Sequence, residues 1–169
     1  MALQDLLALS QSRDKIGLSE ERVNAIVPVA RQYISFWREY PDIFIDFLLK
    51  DRNPQNFKFF FYQRVFLRIC MRHQYVYAVF PRAYSKSFLS MMVLMCRCVL
   101  YPGCKLFVTS GGKEQAAAIV KEKVQEICTL IPAFKNEIDW NRGVTLEGKD
   151  YCEYVFKNGS YFDKIAARE

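Results

Sequence analysis

Two residues with phosphate chemistry, Lys86 and Ser87, stand where an apolar run, Val76-Tyr-Ala-Val-Phe80, gives way through Pro81-Arg-Ala-Tyr-Ser85 to a second apolar run rich in Met and Leu. The pattern reads as strand, loop, helix. At such a junction the backbone N–H groups of the helix N-terminus can cradle phosphate oxygens, a lysine adds charge, and a hydroxyl reaches Mg²⁺. Lys86 and Ser87 fill the last two roles. The loop departs from the Gly-x-x-x-x-Gly-Lys-Ser/Thr pattern, because Phe80 and Ser85 occupy the glycine positions and no glycine lies between Gly17 and Gly103. Glycine permits positive φ and close approach of the backbone to a ligand, so the loop alone does not separate a nucleotide site from an ordinary strand-to-helix turn.

Upstream, Phe61-Tyr-Gln63 offers a different chemistry. The Gln63 carboxamide can both donate to and accept from an adenine edge, and the Tyr62 ring can stack on a base. Arg64, Arg68 and Arg72 follow at every fourth position, so a helix gathers their guanidinium groups on one face, exposed or turned toward phosphates. The net charge of +6 is unevenly placed, with eight Lys or Arg against one Asp between residues 51 and 101. Such a field suits nucleotide or nucleic-acid phosphates, and equally a solvated basic surface. The six cysteines form no C-x-x-C pair and His73 is the single histidine, so spacing draws no zinc constellation and buried, reduced thiols are expected.

The elements that position these groups follow from periodicity. Ser19 offers an N-cap, and Val23, Ile26, Val27, Ala30, Tyr33, Ile34 and Trp37 recur at helical spacing until Tyr40-Pro41, which predicts an amphipathic helix bent at Pro28. A second short helix starts at Pro41, turns Ile43, Phe44, Phe47 and Leu48 inward and ends at Asp51-Arg-Asn-Pro54. Phe57–Arg72 and Phe88–Leu100 read as further helices, the latter packed on a sheet and broken by Tyr101-Pro-Gly103. Lys105–Ser110 reads as a strand, and Gly111-Gly112 leads into a helix over Lys113–Leu130 that aligns Ala116, Val120, Val124, Ile127 and Ile131. Two successive strand–helix units predict a parallel sheet with ligands at its carboxyl ends, where Arg82–Ser87 and Thr109–Gly112 fall. Val144–Glu147, Tyr151–Lys157 and Tyr161–Ile165 are short and β-prone, and Asn158-Gly159 is a hairpin signal, so a small meander is expected there. Residues 1–18 read as a short amphipathic or frayed segment. The N-terminus lacks the basic start of a signal peptide and the run Phe88–Leu100 is short and cut by Arg97, so a soluble intracellular protein with no membrane association is expected.

In order and spacing, these motifs make residues 55–169 resemble the N-terminal part of the ATPase domain of a tailed-phage terminase large subunit, the motor that packages DNA into procapsids. The similarity lies in an aromatic-Gln adenine motif, Tyr62-Gln63, and in a variant phosphate loop opening with Arg four residues before the Lys, Pro81-Arg-Ala-Tyr-Ser-Lys-Ser87. It extends to the following strand and helix, Phe107-Val-Thr-Ser-Gly-Gly-Lys-Glu-Gln-Ala116, and to Phe156-Lys-Asn-Gly-Ser160. The resemblance implies an α/β fold: a partial P-loop NTPase, three-layer αβα with a parallel sheet over 55–169, preceded by an N-terminal helical segment over 1–54 and ending in the meander. It implies that Tyr62 and Gln63 hold adenine, that Arg82, Ala83, Tyr84, Ser85, Lys86 and Ser87 form the nucleotide loop with Arg82 and Lys86 on the phosphates of ATP, and that Ser87 coordinates Mg²⁺. Double-stranded DNA, the small terminase subunit and the portal protein are the implied partners, in the cytoplasm of a bacterial host. Ser85 stands where most relatives have Gly. The family's downstream acidic motif and nuclease domain have no counterpart in this sequence, so ATP binding without hydrolysis is the expectation.

A reading from a different class is a non-catalytic module with a vestigial phosphate loop, which binds nucleic acid or another subunit through Arg64, Arg68 and Arg72. Lys86→Ala separates the two: in the first it abolishes ATP binding and leaves DNA affinity nearly intact, whereas in the second DNA binding falls with mutation of Arg64, Arg68 and Arg72, with a steep salt dependence, and ATP has no effect. In either case an open sheet edge is expected to favour self-association.

Overall fold

The computed structural model describes residues 20–50, 53–110, 113–141, 143–148 and 151–166. The expected segment over 1–18 and Gly111-Gly112 lie outside them. The chain divides into two compact units, Met1–Phe36 and Trp37–Glu169. In the first, the described residues belong to helix α1 (Glu20–Glu39), which carries Pro28 in its interior and whose last turn lies in the second unit. Val27, Tyr33 and Ile34 of its apolar stripe are exposed.

The second unit opens with α2 (Pro41–Leu49), started by a proline whose missing N–H is no loss in a first turn. Three helices follow in sequence or after β1: α3 (Phe61–Arg72), α4 (Lys86–Leu100) and α5 (Lys113–Leu130), with the short α6 (Pro132–Glu137) behind them. The strands are β1 (Lys105–Ser110), β2 (Leu146–Glu147), β3 (Cys152–Val155) and β4 (Tyr161–Ala166), ordered β1-β4-β3-β2 in one sheet. β4 runs parallel to β1, with Lys105 opposite Tyr161 and Val108 opposite Lys164. β3 pairs antiparallel with both β4 and β2. The architecture is therefore α/β with a mixed sheet, in which the expected meander supplies the antiparallel pairs and only β1 with β4 is parallel.

The predicted strand before the phosphate loop does not form. Residues Tyr75–Phe80 run without helix, turn, bend or ladder partner among the described residues. A strand exists through its neighbour, and β propensity without a paired backbone does not make one. The sheet hence presents one parallel pair, β1 with β4, where two strand–helix units were expected.

The core forms where α4 and α5 meet the sheet. α4 buries Phe88, Leu89, Met92, Met95 and Cys96, α5 buries Ala117, Val120, Val124 and Ile127, and the strands contribute Tyr154 and Phe162, whose rings stack at 5.2 Å. Each large side chain taken out of water contributes roughly 1.5–3 kcal/mol. The apolar face predicted for α5, including Ile131 beyond its end, is buried throughout. α2 packs in the same core through Phe44, Ile45 and Leu49.

The meander also anchors the central helix. The Asn158-Gly159 turn lies between β3 and β4 as predicted, with Gly159 at φ +81°. Asn158 Nδ2 donates to the carbonyls of Cys98 and Val99 at 2.7 and 3.2 Å, satisfying acceptors that the last turn of α4 leaves open. Ser160 Oγ donates to Tyr101 O at 2.9 Å and accepts from Cys104 N at 3.2 Å. Arg38 closes the same helix end, donating through Nε and Nη2 to Leu100 O at 2.9 and 2.7 Å. Asn158, Ser160 and Arg38 together hold the C-terminal end of α4 by five side-chain donations. No helix among the described residues is long and apolar enough to cross a membrane.

Candidate nucleotide site

The loop Pro81–Ser85 enters α4 through two residues in the left-handed region, Ala83 at φ +66° and Ser85 at φ +51°, ψ 27°. The backbone thus adopts at Ser85 the conformation that glycine adopts without penalty. For an L-residue it costs roughly 1–2 kcal/mol, and the surrounding packing has to hold it there. The Ser85 side chain does not cap the helix. Its carbonyl instead accepts from Leu89 N at 2.9 Å, so the N–H groups of Lys86, Ser87 and Phe88 have no acceptor among the described residues. Three successive free donors at the positive end of a fifteen-residue helix attract an anion, phosphate above all.

The side chains around this end agree in sign. Arg82 and Lys86 are exposed, and neither forms an ion pair among the described residues. Ser87 is half-buried, and Ser90 Oγ turns back to Lys86 O at 2.9 Å. Phe88 is buried against Phe57, with ring centroids 6.0 Å apart, which fixes the first turn of α4 on the chain segment leading into α3.

Tyr62 and Gln63 are brought to the same place. The Tyr62 ring lies 5.3 Å from that of Tyr84 in the loop and stacks on Phe60 at 6.1 Å with planes 10° apart. Two motifs well separated in sequence therefore meet through an aromatic contact, and exposed Phe60 and Phe61 flank it. Gln63 is buried, and its Oε1 accepts from Phe60 N at 2.9 Å, capping the N-terminus of α3. Its Nε2 donates to Tyr62 Oη at 3.4 Å. The carboxamide thus spends its acceptor on its own helix and holds the Tyr62 hydroxyl.

Arg64, Arg68 and Arg72 share one face of α3 as predicted, and each has a carboxylate partner. Arg64 Nη1 bonds Asp46 Oδ2 at 2.6 Å and Asp42 Oδ2 at 3.1 Å, and its Nη2 bonds Asp46 Oδ1 at 3.1 Å. Arg68 grips Asp42 bidentately, both bonds 2.8 Å, and Arg72 Nε pairs with Glu39 Oε2 at 3.0 Å. Arg68 and Arg72 each also lie 4.9 Å from the centroid of Tyr40. Asp42 is fully buried. Burial by itself raises its pKa, but the hydrogen bonds from Arg68 and Arg64 together outweigh that and hold the carboxyl below the ordinary aspartate range. These arginines clamp α3 to α2 and to the end of α1. Sequence reasoning missed Asp42, which follows Pro41 in a first turn and looks like a solvated dipole partner until its arginines arrive from a later helix.

The six cysteines are unpaired. Burial drives Cys96 and Cys98 far above the ordinary thiol range, and Cys128 to about 11. Among the described residues no group of three or more His, Cys, Asp or Glu side chains is placed to hold a metal. A surface groove of about 830 Å³ is lined by Val124, Cys128, Lys135, Trp140 and Glu147, none of them in the loop. The Tyr154 hydroxyl donates to Glu147 at its edge, tying β3 to β2. The chain matches no protein-family model and no curated protein.

Proposed function

We propose that residues 55–169 are the nucleotide-binding part of a P-loop ATPase akin to the large terminase subunit of tailed phages, and that the chain binds ATP at the N-terminus of α4. The observation that carries this reading is the left-handed Ser85 followed by three unsatisfied N–H groups, with Tyr62 against Tyr84 beside them. A non-glycine residue is held in that conformation only where the surroundings over-determine it, which is characteristic of ligand clamps. In this reading the N–H groups of Lys86, Ser87 and Phe88 receive phosphate oxygens, and the charges of Lys86 and Arg82 neutralise them. Tyr62 stacks on the base, and Gln63 keeps one amide proton free to donate to its edge.

Mg²⁺ would reach the site with the nucleotide, which supplies phosphate oxygens to a hard cation that keeps most of its waters. Ser87 is the protein group that fits it, a hydroxyl in the first turn of the helix. DNA packaging, with double-stranded DNA, a small terminase subunit and a portal protein as partners in a bacterial cytoplasm, belongs to the same proposal.

The test is calorimetric titration of a slowly hydrolysed ATP analogue with Mg²⁺ into the wild type and Lys86→Ala. Saturable binding is expected, weakened at least tenfold by the substitution, which corresponds to about 1.4 kcal/mol. A wild type that takes up no nucleotide, with no shift in its melting temperature, overturns the reading.

A further inference from the structure

Two free cysteines face each other across the turn that leaves α4. Cys98 lies in the last turn of the helix and Cys104 immediately before β1, with Tyr101-Pro-Gly103 between them. Their sulfurs are 4.0 Å apart, and Cys104 Sγ also donates to Arg97 O at 3.5 Å. Disulfide sulfurs are bonded at about 2 Å, so each has to move only about 1 Å to close the pair.

The backbone keeps the two together. Asn158 Nδ2 donates to Cys98 O at 2.7 Å, Cys104 N donates to Ser160 Oγ at 3.2 Å, and Tyr161 N donates to Cys104 O at 2.9 Å. A single stretch of the meander, Asn158–Tyr161, therefore holds both cysteines in place. Gly103, at φ +73°, supplies the left-handed residue that turns the chain back on the helix end. The two thiols differ in access. Cys98 is fully buried, whereas Cys104 is half-buried between exposed Gly103 and Lys105. Burial pushes the Cys98 thiol far above the ordinary range, so it stays protonated and Cys104 is the sulfur that meets an oxidant from water.

We propose that Cys98 and Cys104 form an oxidative modification site, at which hydrogen peroxide converts the two thiols into an intramolecular disulfide. The Cys104 thiolate attacks one peroxide oxygen, the O–O bond breaks, and Cys104 becomes a sulfenic acid. The second oxygen leaves as hydroxide and takes up the proton that Cys104 gave to solvent, forming water. The Cys98 sulfur then attacks the sulfenic sulfur, and an S–S bond forms as the S–O bond breaks. The departing hydroxyl takes the Cys98 proton as a second water, so two thiols are oxidised for one peroxide reduced. The product ties the C-terminal end of α4 to the start of β1. The inference is independent of nucleotide binding.

Arg97 and Lys105 flank the pair, so trypsin releases both cysteines in one peptide, residues 98–105. The folded protein is treated with hydrogen peroxide, its remaining thiols are alkylated, and the digest is weighed. Peptide 98–105 is expected two hydrogens lighter and unalkylated, and reducible by dithiothreitol. In Cys98→Ala the sulfenic acid has no partner, and dimedone should trap it on Cys104 at least tenfold more than in the wild type. Cys104→Ser changes the more accessible position, and in it Cys98 should remain a thiol; this variant decides the question if Cys98→Ala does not fold. A wild-type peptide that keeps both thiols overturns the proposal, as does a disulfide from either residue to another cysteine, or a Cys98 that oxidises equally fast in Cys104→Ser.

Discussion

Ser85 concentrates the tension between sequence and conformation. Its left-handed backbone costs an L-residue roughly 1–2 kcal/mol, while glycine at the same place costs the unfolded chain roughly 0.5–1 kcal/mol in entropy. Ser85→Gly should therefore stabilise the protein by about 0.5 kcal/mol, a rise in melting temperature of about 1–2 °C. The free N–H groups of Lys86, Ser87 and Phe88 keep their places, so affinity for the ATP analogue should hold or improve. Ser85→Val should do the reverse, because a β-branched residue in that region is a genuine outlier. Thermal melts and calorimetry on both variants check the pair. A melting temperature that falls in Ser85→Gly would show that the serine side chain, and not the backbone, is what the loop selects. None of this strain is legible in the sequence, which shows only that glycine is missing.

At the scale of elements, the joint between α2 and α3 depends on one buried carboxylate. Asp42 receives Arg68 through two bonds and Arg64 through one, and the arginines stay partly in water, so removing the acid should cost less than breaking a wholly buried pair, about 2–3 kcal/mol. Asp42→Asn is expected to lower stability by that amount at neutral pH. The native pKa is depressed, so the wild type's advantage is fully present above the ordinary aspartate value of about 4 and is lost as pH falls through the native value below it. Denaturant melts of both proteins from pH 7 to pH 3 should show the two curves converging in acid. A constant difference across that range would remove the charge from the explanation.

The same joint explains what periodicity could and could not disclose. The 3.6-residue repeat and Pro41 marked α1, α2 and α5, and Asn158-Gly159 marked its turn, because those signals are local. Asp42 could not be read as buried, since its partners lie in a helix formed later in the chain. The strand expected at Val76–Phe80 failed for the complementary reason: the residues prefer β structure, but no neighbour within the described residues supplies the ladder. The convergence of Tyr62 on Tyr84 likewise depends on how α3 and α4 pack. Residue types named the loop and the aromatic-Gln pair as one site, and only the packing of α3 beside α4 brings them together.

Over the whole molecule, charge counted along the chain and charge distributed in space give different answers. Residues 51–101 carry a large basic excess, yet three of its arginines face Glu39, Asp42 and Asp46 from the preceding fifty residues. Paired in this way they contribute little to a field that attracts a polyanion. Arg82 and Lys86, at the N-terminal end of α4 and in the loop before it, form no such pair among the described residues. Substituting Arg64, Arg68 and Arg72 together by Ala should hence lower the melting temperature by several degrees, since the clamp between α2 and α3 is lost. Affinity for double-stranded DNA, measured while the protein is still folded, should change less than threefold, and the slope of its logarithm against the logarithm of salt concentration should stay the same within one contact. Arg82→Ala with Lys86→Ala should leave the melting temperature in place and flatten that slope. If the arginine triple variant instead flattens the salt dependence by two or three contacts, those guanidinium groups leave their carboxylates for phosphates, and the basic face of α3 becomes the binding surface.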